Sequence, residues 1–474
     1  MLLPLFLVLL VALVLLVMKF ADSWAWDGYN HGPEQRWRRI YMRRNIVHPS
    51  VRRLAYPIRE IVLTAHKMRD LGVGITWENI GDPIHKGEKV EPWIKEVMLQ
   101  TAGDDRSWAY CDTSGVLETR EFLAERHNAM GGVKIAPQDI LFFNGLGDSM
   151  GKLYSLLPRE ARVISPSPCY AAHCSAEAAH SDDSHPTYEL DPHNGWTPDL
   201  DDLRQKVKYN DSIAGILLIN PDNPTSAVHG PEVLEGIVKI AREFDLFLIF
   251  DEIYTNIIYG GVKTKRLAEV IGNDVCGLSM RGISKEYPWP GSRCGWIEIL
   301  NRGRDKMFDA YVGAILAAKR LEVCSTTMPQ MTIPRVMGDS RYPAHLARRA
   351  AMFESRAKEA CAALAGIPGV QVNAPGGAFY LTVMFEKGAL TNRQSLPIEN
   401  APARALVEEL VKGAANDSRF VYYLLAATGI CVVPLSGFCC AHDGFRITLL
   451  ECDDAKRAWT LKTLAGAMRE YLES

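Results

Sequence analysis

The run Leu246-Phe247-Leu248-Ile249-Phe250 stops abruptly at Asp251, and the same figure, a short apolar run closed by a polar or glycine-containing turn, recurs through the middle of the chain. Four to eight consecutive apolar residues make a strand buried on both faces. Candidate strands lie at 139–143, 162–165, 215–220, 246–250, 277–281 and 295–300. Helical stretches separate them, as at Pro231 to Glu243, where Val233, Leu234, Ile237, Val238 and Ile240 recur at helical spacing. Strand alternating with helix predicts an α/β fold with a mostly parallel central sheet flanked by helices. Ligands of such open sheets bind at the carboxyl edge of the strands. Gly147, Tyr170, Asn223, Asp251 and Lys285 each follow a candidate strand, so the pattern predicts that they share one crevice.

The chain is long enough for more than one domain: 474 residues, 47% hydrophobic and 23% charged, can bury a large core. A net charge of -3 gives no reason to expect nucleic acid as a partner. The eleven cysteines show no CxxC or Cys/His ligand spacing, and Cys439 and Cys440 are adjacent, which disfavours a zinc site and a disulfide framework; they read as reduced. Beyond about Thr327 the texture changes to a long charged helical stretch, Pro343 to Leu364, then a glycine-rich turn from Ala374 to Tyr380, then Phe445-Arg446-Ile447-Thr448. The expected division is a hydrophobic helix over 1–18, a basic linker, N-terminal arm and start of the small domain over 19–90, a large domain over 91–326 and a smaller α+β domain over 327–474.

Met1 to Met18 is an unbroken apolar run, about 27 Å long as a helix and close to the thickness of a bilayer core. No Lys or Arg precedes it, whereas Arg36, Arg38, Arg39, Arg43 and Arg44 follow. The positive-inside bias therefore predicts a single-pass membrane anchor with the rest of the chain in the cytoplasm. The alternative is a secreted protein cut from a signal peptide near Ser23-Trp24-Ala25.

The chemistry-bearing motifs are Asn220-Pro221-Asp222-Asn223-Pro224-Thr225, Asp251-Glu252-Ile253-Tyr254 and Ser284-Lys285-Glu286-Tyr287-Pro288-Trp289-Pro290-Gly291-Ser292-Arg293-Cys294-Gly295-Trp296. Taken together and in this order, they resemble the class I/II aminotransferases, the fold type I family of pyridoxal-phosphate enzymes, and the likeness runs from about Asn79 to Arg446. It implies pyridoxal 5'-phosphate as cofactor, amino-acid and 2-oxo-acid substrates, and a homodimer. Lys285 then matches the amine that bonds the cofactor aldehyde and later acts as base. Asp251 matches the partner of the ring nitrogen, and Tyr254 and Asn223 the donors to the ring's phenolic oxygen. Arg293, the backbone at Gly147 and Asp148, and Ser284 match the phosphate cup. Tyr170 matches the aromatic stacked on the ring, and Tyr110 a tyrosine that reaches the phosphate of the neighbouring subunit. Arg446 matches the clamp on the substrate carboxylate, because a guanidinium meets a carboxylate through two parallel hydrogen bonds. Gly81 matches a substrate-side glycine, where a side chain would collide with the bound amino acid.

Two positions depart from the family pattern: Ser226 stands where the turn usually has glycine, and Gly282 where many members carry a phosphate-binding serine. The expected activity is transfer of an amino group between an L-amino acid and a 2-oxo acid through Lys285. A lyase or decarboxylase on the same scaffold shares Lys285, Asp251 and the phosphate cup, and the Tyr287-Pro288-Trp289-Pro290 insert keeps that alternative open.

Overall fold

The computed structural model describes residues 46–54 and 56–474. Eight strands form the larger sheet: Ile140–Phe143 (β1), Arg162–Ser167 (β2), Thr187–Asp191 (β3), Thr197–Pro198 (β4), Ile213–Ile219 (β5), Phe247–Asp251 (β6), Gly277–Gly282 (β7) and Gly295–Leu300 (β8). Their spatial order is β1-β8-β7-β6-β5-β2-β3-β4. The pairs β7·β6, β6·β5, β5·β2 and β2·β3 are parallel. Strand β8 runs antiparallel to both neighbours, β7 and β1, and β4 is antiparallel to β3. Strands β1, β2, β5, β6 and β7 therefore end on one edge. β8 begins on that same edge, since Gly282 at the end of β7 pairs with Gly295 at the start of β8.

The apolar runs form strands because both faces of the sheet are covered. Leu248 and Phe250 of β6 enter one hydrophobic core while Ile249 enters another, and Ile140 and Phe142 of β1 divide from Leu141 and Phe143 in the same way. The helix Pro231–Glu243 falls where the apolar spacing predicts it, with Leu234, Ile237, Val238 and Ile240 buried.

The second sheet contains Val370–Val372 (β9), Tyr380–Phe385 (β10), Val433–Pro434 (β11) and Gly444–Thr448 (β12) in the order β9-β10-β12-β11, antiparallel throughout. It lies beyond the boundary expected near residue 326, and the larger sheet lies before it. Its third strand in that order, β12, carries Arg446 opposite Thr382. A short parallel pairing of Thr76–Trp77 with Ile430–Cys431 leads the chain to the side of β12, where the Thr448 amide donates to Glu78 O at 3.0 Å. Residues 79–82 are thereby delivered to the same place as Arg446.

The membrane placement expected from the sequence is corrected by the structure: among the described residues no helix is long and apolar enough to cross a membrane. The longest described helix, Tyr342–Leu364, has 23 residues but carries Arg348, Arg349, Glu354, Arg356, Lys358 and Glu359. The segment 1–18 expected as an N-terminal hydrophobic helix lies outside the described residues. The eleven cysteines are free in the structure.

Candidate active site

A cavity of about 600 Å³ opens at the shared strand edge. Its lining includes Gly81, Gly147, Tyr170, Asn223, Asp251, Tyr254, Ser284, Lys285, Arg293 and Arg446, so the structure brings together residues spread over more than 360 positions. Two expected residues lie elsewhere. Asp148 is absent from the lining: its amide donates to Gly145 O at 3.1 Å, and its carboxylate accepts from the Asn144 amide at 3.0 Å and pairs with Lys152. Tyr110 is 82% exposed and lines a separate surface recess with Thr327 and Arg335.

Lys285 follows β7 by three residues, and its Nζ donates to Gly81 O at 2.8 Å. Burial lowers its amine from 10.5 to about 8; the nearby Asp82 carboxylate works against that, and the Arg446 and Arg293 guanidinium groups add to it. Asp251, at the end of β6, is buried; Oδ1 accepts from the Ile253 amide at 3.1 Å and Oδ2 lies 3.4 Å from His173 Nε2. His173 Nδ1 in turn meets the Tyr154 hydroxyl at 2.9 Å, which fixes the imidazole behind the carboxylate. Tyr254 is buried, its hydroxyl 2.9 Å from that of Tyr380, and burial pushes its ionisation well above 10. Tyr170 reaches the Tyr56 hydroxyl at 2.7 Å.

The helix Leu146–Ser155 begins at the cavity after Gly145, whose φ of +83° belongs to the left-handed region. A Cβ on Gly145 would stand 2.7 Å from Arg293 Nη2, so glycine there makes room for the guanidinium. Arg293 precedes β8 and reaches the edge because that strand runs against its neighbours. Gly282 also has a local cause: a Cβ would lie 3.0 Å from Cys294 O and 3.1 Å from Ile253 Cδ1, which disfavours the serine of related chains.

Across the cavity Arg446 is fully buried, donating to Asn223 Oδ1 at 2.9 Å and to Asn79 O, with its Cζ 4.3 Å from the centre of the Tyr380 ring. Its Nε is buried and has no hydrogen-bond partner among the described residues. A Cβ on Gly81 would come within 2.2 Å of the Tyr380 hydroxyl. Ser226 adopts φ +58° in the position that is usually glycine, and its hydroxyl accepts from the Tyr380 amide at 3.1 Å. The side chain thus returns a hydrogen bond for a conformation that costs a non-glycine residue about 1–2 kcal/mol.

His173, Tyr380, Tyr56 and Asp82 belong to the site without having been singled out as candidates from the sequence. His173 had a signal, since it stands one helical turn after Tyr170, and Asp82 had one as the residue directly after Gly81; Tyr56 and Tyr380 are joined by tertiary contacts.

The family model for aminotransferase class I and II matches residues 78–460. An uncharacterized aminotransferase of Methanocaldococcus jannaschii is 53% identical over 433 residues, covering 91% of this chain and all of that one. The glutamate-pyruvate aminotransferase of Escherichia coli strain K12 is 28% identical over 330 residues, 69% of this chain and 80% of that protein. Among solved structures, an alanine aminotransferase from Pyrococcus furiosus superposes with a TM-score of 0.76 at 25% identity, covering 90% of this chain and 100% of that one. The transferase reading therefore stands over the lyase alternative, and the chain belongs to the class I and II aminotransferases, pyridoxal-phosphate-dependent enzymes of transamination.

Proposed function

We propose that Lys285, Asp251 and Arg446 are the working centre of this aminotransferase, with alanine, glutamate and their 2-oxo acids as the substrates to test. The observation that carries the assignment is a buried amine lowered to about 8 that shares one cavity with a buried carboxylate and a buried guanidinium. The choice of substrates is supported by the relatives named glutamate-pyruvate and alanine aminotransferase.

The residues present fit the cofactor. A cavity of about 600 Å³ lies within the range that holds a ring, a phosphate and a small amino acid together. Asp251, a buried carboxylate at the cavity wall, calls for a cationic partner such as a protonated ring nitrogen. Arg293, the first turn of the helix at Gly147, and Ser284 give an anion cationic and hydrogen-bond donors. The unpartnered Nε of Arg446 calls for an acceptor. When bound, pyridoxal phosphate supplies an aldehyde that bonds amines and a protonated ring that draws electron density from the substrate Cα.

Arg446 holds the substrate carboxylate, and the close Tyr380 ring keeps the guanidinium in place. Lys285 Nζ, neutral in an appreciable fraction at neutral pH because burial lowers it to about 8, takes the proton from the substrate Cα. Asn223 binds Arg446 through Oδ1, which leaves its amide nitrogen to donate into the cavity together with the Tyr254 hydroxyl. Gly81 keeps open the space that a side chain would close against Tyr380. The two sheets act as the two lobes between which substrate enters. A homodimer completes the site, with the exposed Tyr110 of each chain reaching the phosphate of the other.

The test is an amino-donor screen on the purified protein with cofactor: alanine and 2-oxoglutarate should give pyruvate and glutamate, dependent on the acceptor. Pyruvate with ammonia and no need for acceptor would overturn the reading.

A further inference from the structure

Arg349 does not itself line the cavity, yet it is buried and bound on three sides to groups that frame the reactive lysine. On the helix Tyr342–Leu364, its Nε and Nη2 form a bidentate pair with Glu88 at 2.5 and 3.1 Å. Its Nη1 donates to Glu286 O at 2.9 Å and to the carbonyl of Lys285 itself. One guanidinium thus ties the backbone of the lysine to the turn that ends at Glu88. That turn is braced internally: Glu88 N donates to Pro83 O at 3.0 Å, and Asp82 Oδ1 accepts from Ile84 N at 3.0 Å and from His85 N at 3.3 Å. At its near end stand Gly81 O, which receives Lys285 Nζ at 2.8 Å, and the Asp82 carboxylate.

We propose that Arg349 is a positioning residue for Lys285: by bridging Glu88 to the Lys285 and Glu286 carbonyls, it fixes how far the reactive amine stands from the 81–82 turn and how well that turn keeps water off it. This rests on the assignment of Lys285 as the reactive lysine. Arg349 suits the task because a planar guanidinium meets a carboxylate on two nitrogens and still has a third for carbonyls, which a lysine ammonium cannot reproduce. Glu286 is held independently, its carboxylate by Asn256 Nδ2 at 2.6 Å and by the Tyr342 hydroxyl, and its carbonyl also by His345 Nε2 at 3.1 Å. The Lys285 carbonyl has Arg349 as its side-chain donor, so the load at that residue falls on one group. The charged groups that face the lysine amine are Asp82, Asp251, Arg293 and Arg446, and Arg349 acts on it through the turn.

The experiment is a pH titration of the visible absorbance of the full-length enzyme with cofactor, for the parent, Arg349→Met and Arg349→Lys, alongside Lys285→Ala. Loosening the turn lets water reach the amine nitrogen and favours its protonated form, so Arg349→Met should lower the proton dissociation constant at the lysine nitrogen about threefold to tenfold. kcat should fall at least about fivefold with KM changed less than twofold. Arg349→Lys keeps one charge for Glu88 and should shift in the same direction by less, and it decides the matter if Arg349→Met does not fold. A midpoint identical to the parent in a folded variant, with only the melting temperature lowered, would reduce Arg349 to a packing role and overturn the inference. A visible band that survives Lys285→Ala would instead remove the lysine assignment, and this inference with it.

Discussion

The Lys285 amine sits where charge is disfavoured, and that has a consequence for stability. Its folded value of about 8 lies below the ordinary 10.5, so between those pH values the unfolded chain binds more protons and stability rises with pH; the penalty is fully present below about pH 8. Cofactor-free Lys285→Met is therefore expected to melt above the parent at pH 7, with an advantage that shrinks toward pH 10.5. Parallel thermal melts at the two pH values check it, and a constant offset would contradict it. Arg446→Lys should raise the KM for the amino acid about a hundredfold while cofactor stays bound, because a bidentate clamp becomes a point charge; steady-state kinetics and the visible spectrum together test this. Most of the lining was legible because each motif sits directly after an apolar run that ends on a residue with a chemical task, as Asp251 ends β6. Tyr380 and Arg349 were not, since their meaning comes from Arg446, Gly81, Glu88 and the Lys285 carbonyl, all remote in sequence.

Turns decide more than strands about how this site is held. Gly145 allows a left-handed turn and leaves room for Arg293, so Gly145→Ala should weaken cofactor binding at least about tenfold with little effect on the substrate carboxylate, as measured by cofactor titration of the stripped protein. Ser226→Ala keeps the φ of +58° and loses the acceptor for the Tyr380 amide, whereas Ser226→Gly loses the hydrogen bond and relieves the backbone. Chemical denaturation should show Ser226→Ala the less stable of the two, by about 1 kcal/mol. At this scale the sequence placed β1, β2, β5, β6, β7 and β8 to within a few residues, because continuous apolar runs have few other fates in a large α/β chain. It did not place β3 or β4: Thr187–Asp191 alternates buried and half-buried residues in only five positions, and Thr197–Pro198 is two residues long.

At the scale of the whole molecule, the exposed Tyr110 beside a solvent-open recess makes the proposed dimer testable by complementation. Mixed dimers of Lys285→Ala and Tyr110→Ala chains, formed by co-expression, should recover one intact site per pair and more activity than either parent dimer; no recovery would keep Tyr110 out of the neighbouring site. The reversed direction of β8 carries a different implication. Lys285 and Arg293 hang from the two ends of a single connection between β7 and β8, eight positions apart, and under the proposed assignment that stretch works as a ruler between the residue that bonds the cofactor and the one that anchors its phosphate. Residues added or deleted inside it would not abolish either anchor; they would set the two at a span that one rigid molecule of fixed length no longer matches.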